Sequence, residues 1–422
     1  MVSLAVLSIV IHWHPSLVIF INNKKAVPVR AGLFNEPTKT SMRANQPLIL
    51  LFFIAITFFN STDINAQGCV AIRHFSSCVG NTLENNLLAP GDIQLGINYR
   101  YFKSFRHFRG TEEEPDRVAN ETEVINHSHS WDFFLTYGIT DRLYTSITVP
   151  TVINTRSSLY EHGREERNTT YSRGLADIRV GVGYWLFDLE KNPNGNLALG
   201  LGVKLPTGNY NATDIFYNVG PEESPQVRPV DQSIQPGDGG FGITLDFQFY
   251  QKISEKFFAY GGGFYLINPR EVNGTRTFRE TLSPILQNEA IMAVPDQFSV
   301  RGGASYTLSN SFSTSLGARY EGVPVKDLIG GNDGFRRPGN VVSIDPGIAF
   351  LKNNFSLNLN VPFAIHRNRP QSVTDKQTEA ATGNPRNGDA AFADYLINVG
   401  VTYRFANKKV KIDPDLMNKF NN

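Results

Sequence analysis

The sequence predicts an all-β chain: an antiparallel transmembrane β-barrel of about 12 strands, preceded by a signal peptide and a short plug-like segment. Three observations predict it. Between residues 91 and 405, apolar residues recur at every second position, the period of a strand with one greasy face. The opposite face of the clearest strands is glycine or charge, which makes a poor protein core. The connections alternate between tight turns and long polar segments, as they do at the two ends of a membrane barrel.

Residues 1–41 read as an upstream extension. Val2–Ile21 is apolar but broken by His12, Trp13, His14 and Pro15, and Lys24, Lys25 and Arg30 follow. A genuine extra membrane anchor is the competing reading. Residues 42–67 have the anatomy of a secretory signal. Met42-Arg43 is the basic start, 47–59 the apolar run, and Asn65-Ala66-Gln67 the small-residue cleavage zone. Residues 68–90 hold the two cysteines, Cys69 and Cys78. Export into an oxidising compartment predicts a disulfide between them, closing a plug or periplasmic cap. Lipidation of Cys69 and a metal site with His74 are the alternatives; the first lacks the usual aliphatic residue, the second a clear fourth ligand.

The barrel is expected over 91–405. Ile93, Leu95, Ile97, Tyr99 and Tyr101 alternate with Gln94, Gly96, Asn98 and Arg100. The predicted strands are 91–105, 129–139, 142–155, 173–187, 196–209, 238–252, 256–268, 296–309, 311–325, 340–352, 354–367 and 391–405. In 173–187, Ile178, Val180, Val182, Tyr184 and Leu186 share one face, and Asp177, Arg179, Gly181, Gly183 and Trp185 the other. In 196–209, Leu197, Leu199, Leu201, Val203 and Leu205 oppose Ala198, Gly200, Gly202 and Lys204. Phe241/Ile243/Leu245/Phe247/Phe249, Phe355/Leu357/Leu359/Val361/Phe363 and Ile397/Val399/Val401/Tyr403/Phe405 repeat the pattern. The stretch 256–268 is apolar on both faces, and Pro346 predicts a bulge in 340–352.

Thr140-Asp141, Ser254-Glu255, Asn310 and Asn353 mark tight turns, with a modest one at 188–195. The segments 106–128, 156–172, 210–237, 269–295, 326–339 and 368–390 are long and polar, so they should lie outside the cell with both chain ends in the periplasm. Residues 406–422 extend past the aromatic end Tyr403-Arg404-Phe405 as a periplasmic tail.

Composition narrows the class. Formal net charge is +1, which argues against a nucleic-acid partner. Mean hydropathy is −0.24, odd for a helical membrane protein but normal where only alternate strand residues meet lipid.

Three short glycine-rich blocks carry a family resemblance: 174–184 (Gly-Leu-Ala-Asp-Ile-Arg-Val-Gly-Val-Gly-Tyr), 204–208 (Lys-Leu-Pro-Thr-Gly) and 236–240 (Pro-Gly-Asp-Gly-Gly). They resemble the outer-membrane transporters associated with the meta-pathway of phenol degradation, which are distantly similar to long-chain fatty-acid channels. The resemblance covers roughly 91–405, strongest in 173–250. It implies a bacterial outer-membrane location and passive uptake of small, hydrophobic or aromatic molecules. It brings no catalytic residues, and related channels begin with a pore-blocking segment.

The residues expected to line the lumen are Arg100, Asp132, Asp177, Arg179, Lys204, Asp246, Arg301, Arg319, Glu321, Asp345 and Arg404. In a narrow barrel such charges fill the interior as cross-strand ion pairs and also tune selectivity. His107, His127, His129, His162 and His366 fall in or near the outer loops, and His127 and His129 share a strand face, as a Zn or Cu ligand pair would. Too few ligands accompany them, so no metal and no cofactor are expected. A lipase- or protease-like barrel enzyme is the first alternative. His127-Ser128-His129-Ser130 has the residue types, but strand neighbours point to opposite faces and there is no Gly-x-Ser-x-Gly elbow. Loop-mediated adhesion is the second, against which the loops offer few aromatics. The expected partners are outer-membrane lipid and a small solute, with the protein a monomer.

Overall fold

Among the described residues, twelve antiparallel spans close on themselves where Ile93–Arg109 pairs with Ala390–Phe405, from Ile93 opposite Phe405 to Phe108 opposite Ala390. The computed structural model describes residues 87–279, 282 and 284–406. The proposed extension, signal peptide and tail, the Cys69–Cys78 disulfide and most of the plug segment lie outside the described residues.

The remaining spans are Ile125–Gly138, Leu143–Ser158, Asn168–Leu175 continued by Arg179–Trp185, Gly195–Lys204, Gly242–Lys252, Phe257–Ile267, Gln297–Thr307, Phe312–Val323, Gly339–Lys352, and Phe355–Asn360 continued by Phe363–Asn368. Consecutive spans pair with one another and the last pairs with the first, while Asn168–Leu175 is laddered on one side alone, against Leu143–Ser158. The apolar alternation faces outward: Leu201 is 53% exposed and lies between Val182 and Leu245, exposed at 47% and 50%. Such a surface is stable only against an apolar solvent. No helix among the described residues is long and apolar enough to cross a membrane.

Three local expectations are corrected. The strand expected at 173–187 is two strands, broken at Ala176, Asp177 and Ile178. There Ile178 N–H donates to Thr207 Oγ1 at 2.9 Å, and the Asp177 carboxylate accepts N–H groups from the 205–241 segment, so loop contacts replace the ladder. The strand expected at 354–367 is likewise broken at Val361-Pro362. Pro346 makes no bulge. It stays in register opposite Leu316, and on its other side it faces the Val361-Pro362 break, so its missing N–H leaves no ladder bond unmade.

The long connections are also more than polar loops. Phe216, Val230, Ile234, Met292, Val294 and Val323 are each 1% exposed or less. The hairpin Thr213–Phe216 with Gln226–Pro229, the pair Val272–Arg276 with Ile291–Ala293, and the helix Val373–Thr382 give this cap regular structure. The helix begins with a capping box between Ser372 and Asp375 and ends at Gly383 in the left-handed region. Polar sequence hides this core because its apolar residues come from several separate connections.

Candidate functional site

The described strands enclose the barrel interior, and alternation dictates what enters it. At mid-height it is a layer of charge. Arg179 lies 3.7 Å from Asp132, and Arg319 lies 3.5 Å from Glu321 and 3.6 Å from Asp345, all with side chains 10% exposed or less. Arg100 is buried among the same groups. Arg301 stands directly across from Arg319. Like charges in that relation repel, and the neighbouring Glu321 and Asp345 offset it.

Other predicted residues do different work. Arg404 at the inner rim pairs with Asp92, just before the first strand. Asp246 occupies the space over Gly200, where an added Cβ would sit 2.3 Å from its carboxylate. Asp177 and Lys204 belong to a knot in the wall. The Asp177 carboxylate accepts the N–H of Gly208 at 3.0 Å and of Asp238 at 3.1 Å; Lys204 pairs with Asp238 and lies 4.0 Å from Asp177. Thr207 Oγ1 donates to Ala176 O at 3.0 Å. The three glycine-rich blocks of the sequence therefore meet at one place. A small cavity beside them is lined by Ala176, Asp177, Arg179, Lys204, Asp238, Thr244, Leu266 and Gln297.

From this knot the 205–241 segment folds into the outer half of the barrel. The Ile234 carbonyl accepts hydrogen bonds from Asn154 Nδ2, at 3.1 Å, and from Ser172 Oγ. Asp231 accepts from both Arg337 terminal nitrogens at 2.8 Å and lies 3.6 Å from Arg156. Burial alone would raise the Asp231 carboxyl, but Arg156 and Arg337 outweigh it and hold it far below the usual carboxylate range. A charged clamp thus ties this segment to the wall strand Leu143–Ser158 through Arg156 and to the connection carrying Arg337.

At the inner end, Trp185, Ala198 and Tyr250 form a buried cluster, with Leu87 and Tyr144 packed against it. Leu87 and Leu88 belong to the expected plug segment. Interior aromatics continue upward through Phe134, Tyr260 and Phe264. Sequence reasoning put Trp185 and Ala198 on the non-lipid face but left them, with Phe134, Tyr250, Tyr260 and Phe264, out of the lumen-lining set, although the non-lipid alternation was the available signal.

The histidines do not assemble a centre. His127 Nδ1 meets Tyr101 Oη at 3.0 Å and His129 Nδ1 meets Tyr99 Oη at 2.9 Å on the outer surface, while Ser128 turns inward and donates to Asn154 Oδ1 at 2.8 Å. The Ser–His pair that a hydrolase needs is absent there. His107 is held between Asp389 Oδ2 at 2.6 Å and the Val124 N–H at 2.8 Å, and His162 accepts the Tyr217 N–H at 3.1 Å. His366 is exposed on the outer surface. Among the described residues, no three His, Cys, Asp or Glu side chains converge as a metal site requires.

The family model described as "Putative MetA-pathway of phenol degradation" matches residues 117–249, narrower than the 91–405 span of the resemblance but including all three glycine-rich blocks. No curated protein matches. Among solved structures, an outer membrane channel from Pseudomonas putida F1 is 12% identical with a TM-score of 0.49, over 75% of this chain and 97% of that one. A Pseudomonas aeruginosa FadL homologue is 8% identical with a TM-score of 0.38, over 81% and 98%. The Pseudomonas putida toluene transporter TodX is 10% identical with a TM-score of 0.38, over 80% and 96%.

Proposed function

We propose that this chain, which carries the phenol-degradation family pattern over 117–249, is a bacterial outer-membrane channel for passive uptake of small molecules with an aromatic part. The observation that carries the reading is the inversion of the barrel: apolar residues cover its outside, while its inside holds paired charges together with Trp185, Tyr250, Tyr260 and Phe264. An aromatic solute bearing a hydroxyl or carboxylate finds ring faces to stack on and arginines to bond, without stripping its polar group bare. Asp132, Arg179, Arg319, Glu321 and Asp345 pair with one another along the interior wall and set what slides past; the charge is fixed by the wall, so no cofactor is required. A solute crosses only when the 205–241 segment and the inner Trp185 cluster move aside. No chemistry is assigned, because the polar groups are spent on one another rather than arranged as nucleophile, base and orienter.

Liposome swelling tests this. Proteoliposomes should swell with phenol- or benzoate-sized solutes faster than with sugars of the same mass. Equal or absent swelling for both classes defeats the reading.

A further inference from the structure

One quadrant of the barrel's outer surface departs from the apolar rule. Register places Lys103, His127, Thr155 and Tyr171 side by side on four adjacent strands, all outward. The next row toward the membrane is Tyr101, His129, Ile153 and Arg173, and the row below it begins Tyr99, Trp131. Lys103 and Arg173 are exposed, and the Lys103 ammonium sits 4.6 Å over the Phe105 ring. Tyr101 and His129 pack at a tilt with centroids 4.8 Å apart, and Tyr99 and Trp131 at 5.4 Å. The nearby carboxylate of Asp214 accepts the Tyr171 N–H at 2.6 Å. Toward the outer ends of other spans the outward residues are uncharged pairs such as Tyr265 with Phe298, Val300 with Tyr320, and Phe363 with Tyr395.

Below this patch, Phe133 and Leu135 continue the apolar surface. A Tyr–Trp tier directly above an apolar belt marks the height of lipid headgroups. Long cationic side chains there turn their charge toward the interface. Each histidine has Nδ1 occupied by a tyrosine hydroxyl, so Nε2 is the nitrogen left for a ligand. We infer that Lys103, Arg173, His127 and His129 form a docking surface for the phosphorylated headgroup of an outer-leaflet glycolipid, its acyl chains lying along Ile153, Phe133 and Leu135. Charge-assisted bonds from Lys and Arg to phosphate oxygens supply the specificity, and the rings beneath supply the fit to a sugar face. This goes beyond solute passage and uses no lumen residue.

Purified full-length protein in detergent would be titrated with diphosphoryl hexa-acyl lipid A and with its dephosphorylated counterpart, and read by native mass spectrometry. The wild type should retain the phosphorylated lipid at least ~10-fold better, and Lys103→Gln/Arg173→Gln should lose that preference with its heat-modifiable gel mobility intact. Arg173→Gln alone should lose part of it and covers the case in which the double variant folds poorly. Equal retention of the two lipids by the wild type overturns the inference, as does unchanged preference in both variants. Displacement by low-millimolar inorganic phosphate also overturns it, since the surface would then hold a free anion. Swelling rates of the variants are expected to match the wild type, so failure of the channel reading and failure of lipid docking register in different measurements.

Discussion

Gly208 and Gly237 lie backbone against backbone: a Cβ built on Gly208 would fall 2.7 Å from the Gly237 Cα. This contact, together with the Gly237 N–H bond to Asn209 O at 2.9 Å, pins both ends of the inward-folded segment beside Asp177. Gly208→Ala should force the two strands of the loop apart and cost about 1–3 kcal/mol. Single-channel conductance in planar bilayers should rise. A stable variant with unchanged conductance would show that this segment does not close the outer mouth.

Two buried carboxylates of the cap predict opposite pH responses. Asp296, fully buried, is pushed up to about 6 by burial, with the N–H groups of Asn268 and Leu328 opposing the shift. Its folded value exceeds the unfolded one, so its contribution to stability is complete below about pH 4 and is lost as pH rises through about 6. Asp231 is depressed, so its contribution is present above the ordinary carboxylate range and is lost only as pH falls below it. Melting curves from pH 4 to 7 should slope downward with pH, and Asp296→Asn should flatten that slope. A slope unchanged in the variant assigns it to another group.

The outer and inner faces should respond differently to substitution. Leu201→Arg places a charge on the apolar belt and should cost about 2–4 kcal/mol near the bilayer midplane. Ser305→Ala, on the inner face, removes a hydroxyl that makes no hydrogen bond in the structure and should be nearly neutral. Urea refolding midpoints in lipid vesicles measure both; equal losses would mean that the two faces are misassigned.

The inner mouth offers a separate handle. Leu87 packs on Trp185, Ala198 and Tyr250 at the inner end of the barrel. Trp185→Ala should raise conductance, and deletion of 68–86 with the signal peptide kept should do the same if those residues continue the plug. Cys69→Ser should increase gating noise if a disulfide stiffens them. Deletion without effect would reduce the segment to a tether.

Legibility followed the range of the interactions. The twelve spans could be read because a period of two is written locally and lipid enforces it all around the barrel. The buried charges could be read for the same reason: Arg100, Asp132, Arg319 and Asp345 sit on the non-lipid alternation of strong strands. Two breaks could not, because Asp177 and Val361 continue the local alternation like any other strand residues, and only contacts from 205–241 or the facing Pro346 decide their conformation.

By itself, then, the sequence determined an antiparallel barrel with a lipid face, a charged inner face and long connections on one side, since each follows from alternation and turn chemistry within a few residues. Tertiary structure alone decided that those connections form a cap with its own core, that Arg337 reaches Asp231 across 106 positions, and that three separate glycine-rich blocks meet at Asp177. Pairings of that kind depend on which loops closure brings together. The entropy of bringing distant segments together is met by many weak contacts at once, and no short stretch of sequence records their sum.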